Sequence, residues 1–116
     1  MVADDRIPFV PGRGDIVWID LNPTRGHEQA GRRPAVVVSP GDYNRRVGLA
    51  LMCPITSHIK GYPFEVPLPT GGCVVGAVLC DQVRSVAWLE RNASLAGRLS
   101  DDRITAVIER IASLIS

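Results

Sequence analysis

Short apolar runs, broken at intervals by glycine and proline, set the pattern of this chain. Ile16, Val17, Trp18 and Ile19 fill the segment Asp15 to Leu21, Ala35 to Ser39 is nearly all valine, and Leu49 to Thr56 is apolar. Tyr62 to Leu68 alternates Phe64, Val66 and Leu68, while Cys73 to Cys80 and Gln82 to Trp88 complete the set. Between them stand Asn22-Pro23, Gly31, Pro40-Gly41, Gly48, Gly61 and Gly71-Gly72, which mark turns and loops. The spacing predicts about six short strands in a small barrel or strongly bent sheet.

Both ends depart from that pattern. Before Gly14, Pro8 and Pro11 block helix and predict an extended arm over residues 1–13. From Ser100 onward the period becomes helical, with Ile104, Val107, Ile108, Ile111, Leu114 and Ile115 on one face. Ser100 can cap this helix and Asp101 and Asp102 suit its positive end, although Arg103 stands where a capping box would place Glu or Gln. A helix over residues 100–115 should lie across the sheet, and any apolar surface it leaves uncovered would suit a subunit contact. The expected fold is mainly β with a carboxyl-terminal helix, in a single domain spanning 1–116.

Composition narrows the class. With 116 residues, 46% hydrophobic and 22% charged, the chain can form one ordinary globular core. No apolar run approaches the ~20 residues of a membrane span, and the acidic start Asp4-Asp5 does not read as a secretory signal. A cytoplasmic protein without a membrane partner is expected. Cys53, Cys73 and Cys80 are odd in number, lack Cys-x-x-Cys spacing and sit among apolar neighbours, so all three read as reduced core residues. His27 and His58 are separate from each other and from any ligand-like cysteine pattern, which argues against zinc.

Charge distribution changes the picture. The chain is +1 overall, yet from Arg25 to Lys60 six basic residues face two acids, a local balance of +4 that leaves −3 elsewhere. A positive zone on a nearly neutral protein fits a polyanionic ligand. Within it, Glu28-Gln29-Ala30-Gly31-Arg32-Arg33-Pro34 puts an acid and two guanidiniums on a glycine-hinged loop before the valine-rich strand. Arginine offers a planar fork to phosphate oxygens and a carboxylate can accept a proton, a pairing suited to phosphodiester chemistry.

In order, the motifs resemble the MazF/PemK (Kid) family of toxin–antitoxin endoribonucleases. The blocks are Gly14 to Thr24, Gly26 to Pro40, Pro54-Ile55-Thr56, Lys60-Gly61-Tyr62-Pro63-Phe64-Glu65-Val66 and Asp81-Gln82-Val83-Arg84-Ser85. Together the blocks and the terminal helix run from about Pro11 to Ile115, and their joint order is more specific than any single block. The resemblance implies an SH3-like barrel of the CcdB/PemK toxin type and a symmetric homodimer. It implies ribosome-independent cleavage of single-stranded RNA at a short sequence, with no metal or other cofactor, leaving a cyclic or 3′-phosphate and a 5′-hydroxyl. The implied partner is a MazE-like antitoxin whose acidic, flexible tail covers the RNA groove.

Carried over by position, the family's catalytic arginine falls on Arg33, immediately before Pro34, and its catalytic threonine on Thr56. Glu28 is the acid that accepts a proton or positions the arginine. Arg32 competes with Arg33 for one role, and the sequence leaves both open. In metal-free cleavage the 2′-hydroxyl must lose its proton, phosphorus gains negative charge, and the 5′-oxygen must be protonated. Arginine suits the charge, so Glu28 is the natural base unless an arginine pKa is lowered. Arg25, Arg32, Arg46, Lys60 and Arg84 are candidate phosphate contacts. Tyr62 is a candidate stacking residue and Trp18 fits the core better. Asp81 and Gln82 read either as contacts to base edges or as bend residues.

Two other classes remain readable at this stage. A non-catalytic SH3-like module would want an aromatic groove, and aromatics are only 5% of the chain. A gyrase-poisoning toxin like CcdB would act through its carboxyl-terminal residues, whereas the distinctive residues here cluster between Glu28 and Tyr62.

Overall fold

Antiparallel pairing of the β-branched runs builds the molecule outward from its centre. The computed structural model describes residues 9–20 and 31–116. β1 (Asp15–Asp20) pairs with β2 (Arg32–Val37), and β2 with β3 (Ala50–Thr56). β3 then serves two partners on its other side. Its first half, Ala50 to Met52, pairs with β6 (Arg84–Val86), and its last residues, Ile55 and Thr56, pair with β5 (Ala77–Leu79). Adding β4 (Glu65–Pro67) and β7 (Ser94–Arg98) gives the order β4-β5-β3-β2-β1-β7, with β6 branching from β3. The mainly-β fold with one terminal helix matches the sequence expectation.

Two apolar clusters lie on opposite faces of the central strands. Ile16, Val36, Cys53, Ile55, Val66 and Val78 form one, which Leu99 and Val107 complete. Val17, Ile19, Ala35, Val37, Met52 and Trp88 form the other, against which Phe9 and Val10 of the amino-terminal arm pack. Burial on both faces explains why Val36, Val37 and Val38 run consecutively instead of alternating with polar residues. Residues 9–12 carry no regular structure, as Pro11 requires.

Helix α1 (Gly41–Val47) was not foreseen, because Pro40-Gly41 reads as a turn. It holds a single buried residue, Asn44, whose Nδ2 donates to the carbonyls of Pro11 (2.7 Å) and Ser39 (3.0 Å). Gly48 ends it in the left-handed conformation at φ 80°. β7 was also missed, for its sequence Ser-Leu-Ala-Gly-Arg lacks an apolar alternation and is mostly exposed. Helix α2 (Asp101–Ile115) starts at the cap proposed for it: Ser100 Oγ accepts from the Arg103 amide at 3.4 Å. Val107 is buried, Ile104, Ile108 and Ile111 pack on the first cluster, and Leu114 and Ile115 stay exposed. No helix among the described residues is long and apolar enough to cross a membrane.

Three boundaries move for physical reasons that bear on the site. β2 begins at Arg32, so both arginines stand on a strand end rather than on a loop. The Tyr62 to Leu68 strand shrinks to Glu65–Pro67 because the buried Glu65 carboxylate gathers the amides of Lys60, Gly61 and Tyr62 into a turn. Among the cysteines, Cys53 and Cys80 are buried as expected, but Cys73 is exposed and its sulfur lies against Gly97.

Candidate functional site

Register brings the two principal candidates together. Because Ala35 faces Pro54 and β2 runs antiparallel to β3, continuing the register by two residues sets Arg33 opposite Thr56 at the same end of the sheet. Three adjoining depressions meet there. The largest, of about 620 Å³, is lined by Trp18, Arg32, Arg33, Thr56 and Cys73 among others. Thr56 is shared with a second, of about 480 Å³, whose walls include His58, Lys60, Tyr62, Asp81 and Gln82. Arg33 and Gln82 both border a third, of about 210 Å³, which adds Arg84. The result is a connected, open groove.

Thr56 is held from two sides. Its Oγ1 accepts the His58 amide at 3.0 Å, which leaves the hydroxyl proton available for an incoming oxygen. On the other side the backbone of Gly76, at φ 133°, passes so close that a Cβ there would lie 2.1 Å from the Thr56 carbonyl oxygen. Only glycine fits this approach.

The two arginines are unlike. Arg32 is engaged through both terminal nitrogens: one donates to Asp20 Oδ1 at 2.7 Å, and the other faces the Trp18 carbonyl (3.1 Å), the Asn92 carbonyl (2.7 Å) and Ser94 Oγ (2.9 Å). Arg33 has one long contact within the described residues, to the carbonyl of Arg32 at 3.4 Å, and its guanidinium otherwise opens to the groove. The terminal nitrogens of Arg32 thus already face four protein acceptors, which leaves Arg33 the more open of the two forks. Asp20 in turn is held below the usual carboxylate range, first by its hydrogen bond from Asn92 and then by that from Arg32.

Across the groove, the Tyr62 phenol donates to Asp81 Oδ2 at 2.6 Å, and this bond pushes the Tyr62 pKa up. The ring is half-exposed, 5.9 Å from Phe64 at a tilt of 56°, so one aromatic surface remains free for a flat partner. Lys60 sits on the Glu65-organised turn with its ammonium exposed.

Of the residues singled out from sequence, Arg32, Arg33, Thr56, Lys60, Tyr62, Gln82 and Arg84 converge here. Arg46 does not: it lies on α1, past the end of β2 opposite Arg33, and borders none of the three depressions. Glu28, Arg25 and His27 fall outside the described residues. His58 and Cys73 were not read as site residues, yet both line the groove. For His58 the signal was its place between Thr56 and Lys60; for Cys73 the sequence offered none.

Comparison with known proteins gives this arrangement a context. The family model of the PemK-like, MazF-like toxins of type II toxin–antitoxin systems matches residues 12–115. The chain is 46% identical over 107 residues to the endoribonuclease toxin MazF of Escherichia coli K12, covering 92% of this chain and 96% of that one. It is 32% identical to the endoribonuclease PemK of Escherichia coli, over 90% of this chain and 81% of that protein. Among solved structures, MazF in the MazE–MazF complex of Deinococcus radiodurans superposes with a TM-score of 0.85 at 41% identity, covering 93% and 97% of the two chains. With the family model covering nearly its whole length, this chain belongs to the PemK-like, MazF-like toxins of type II toxin–antitoxin systems.

Proposed function

We propose that this chain is a sequence-specific endoribonuclease that cuts single-stranded RNA, the toxin half of a toxin–antitoxin pair acting in the cytoplasm. The observation that carries this reading is the open guanidinium of Arg33 beside the Thr56 hydroxyl, where the three depressions meet. Relatives named endoribonucleases, at up to 46% identity, support it.

The chemistry follows from the groups. The 2′-oxygen attacks the adjacent phosphorus and loses its proton to Glu28, the bond from phosphorus to the 5′-oxygen breaks, and that oxygen takes up a proton from water, while Glu28 returns its own to the solvent. A 2′,3′-cyclic phosphate and a 5′-hydroxyl result. Arg33 binds the negative charge that grows on the phosphoryl oxygens, and Thr56 donates its free hydroxyl proton to the same group. Lys60 and Arg84 hold neighbouring phosphates and Tyr62 stacks on an unpaired base. Because guanidiniums neutralise the phosphate, the reaction requires no metal.

A partner with an acidic flexible tail suits the same groove, and the solved MazE–MazF pair of Deinococcus radiodurans supports such an antitoxin here. We also propose a homodimer, as the exposed Leu114 and Ile115 at the end of α2 favour a subunit contact. Mapping the ends produced on a long RNA tests the central reading. Cuts at one short recurring sequence, each with a cyclic or 3′-phosphate and a 5′-hydroxyl, are expected; 5′-phosphate ends, or no cleavage, would refute it.

A further inference from the structure

We propose that Arg32 is a positioning residue whose guanidinium clamps the strand end that presents Arg33, so that it acts on cleavage through Arg33 and does not bind RNA. This rests on the catalytic reading of Arg33 above. The clamp joins three elements that are distant in sequence. Arg32 on β2 reaches Asp20 and the Trp18 carbonyl on β1, the Asn92 carbonyl in the turn before β7, and Ser94 on β7. Its partners are themselves fixed: Asp20 Oδ2 accepts from Asn92 Nδ2 at 2.7 Å, and the Asp20 amide donates to the Arg91 carbonyl at 2.9 Å. Asn92 holds φ 55°, the one left-handed non-glycine conformation among the described residues, and so aims its carbonyl and its amide at the clamp.

The link to Arg33 is direct, because the carbonyl on which the Arg33 guanidinium rests is that of Arg32. Fixing Arg32 fixes the peptide that orients the neighbouring fork. A half-exposed ion pair such as Arg32–Asp20 is ordinarily worth little to stability. Catalysis is far more sensitive, since a misplacement of about 1 Å can cost on the order of 100-fold in rate. Lysine could keep the charge but could not fork to four acceptors.

Single-turnover cleavage of a long RNA, with affinity measured on the same sequence carrying 2′-O-methyl groups, tests the idea. Arg32→Ala and Arg32→Lys should each lower the cleavage rate by roughly 10-fold or more with nearly unchanged affinity. Asp20→Ala, which leaves Arg32 in place but removes its anchor, should slow cleavage in the same way. In an Arg33→Ala background, Arg32→Ala should add no further loss. Weakened affinity at an unchanged cleavage rate would make Arg32 an RNA contact and overturn the proposal. So would Arg32→Ala and Arg33→Ala losses that multiply, or normal cleavage by both Arg32 variants. If Arg33→Ala itself cleaved at the wild-type rate, the catalytic reading would fail first and the positioning role with it.

Discussion

The difference between Arg33 and its neighbours is a matter of which donors are left free. A guanidinium with one long contact among the described residues can meet a phosphate that gains charge, whereas a hydroxyl is a weaker partner, and Lys60 lines a depression that Arg33 does not border. Arg33→Ala should therefore lower single-turnover cleavage by ~100-fold or more while sparing much of the RNA affinity. Thr56→Ala should follow the same pattern less severely, and Lys60→Ala should weaken binding and leave the cleavage step largely intact. Wild-type cleavage by Arg33→Ala would move the site elsewhere. The proposal for Arg33 can be made from sequence because its position before Pro34 marks it, but the hydrogen bonds of Arg32 cannot be read there: its acceptors lie 12 to 62 residues away in the chain. The cysteines divide on similar grounds. Burial pushes the Cys53 thiol up to about 12 and the Cys80 thiol up to about 11, which keeps both protonated at pH 8. A maleimide applied to the native protein at that pH should add one label, at Cys73, as read by peptide mass; two or more adducts would mean that the core opens readily.

At the level of elements, the strands that carry the site were readable where apolar runs are long and opaque where backbone geometry decides. β1, β2 and β3 announce themselves through Ile16 to Ile19, Ala35 to Val38 and Leu49 to Thr56. Helix α1 rests on buried polar contacts of Asn44, which no periodicity records, and β4 is cut short by the hold of Glu65 on three amides. Gly76 shows the same limit, since nothing in the sequence tells that a side chain there would run into the Thr56 carbonyl. That contact yields a prediction. A methyl at position 76 would have to displace the end of β3 as well as strain a left-handed backbone, a cost of roughly 1–3 kcal/mol for the strain alone. Gly76→Ala should lower the unfolding midpoint in urea and slow cleavage together. A variant that kept wild-type stability and rate would show that β3 can yield without moving Thr56.

For the molecule as a whole, the charge pattern and the unpaired apolar end of α2 bear on assembly and on solution behaviour. Light scattering at micromolar concentration should give twice the 12.5 kDa of one chain, and a mass near 12.5 kDa would count against the dimer. The groove brings Arg33, Lys60 and Arg84 to one side of a protein whose net charge is only +1, so attraction to RNA comes from a local cluster and not from overall charge. Each phosphate held by such a cation releases condensed counterions, about 0.7 per contact on a single strand. Three contacts then predict that affinity falls with salt along a log–log slope of about −2. If these cations neutralise the reacting phosphate as proposed, the cleavage rate should be unchanged by excess chelator at constant ionic strength. Loss of cleavage on adding chelator, with recovery on adding magnesium, would overturn the arginine-based mechanism, and a salt slope near zero would remove the phosphate contacts on which binding is argued to rest.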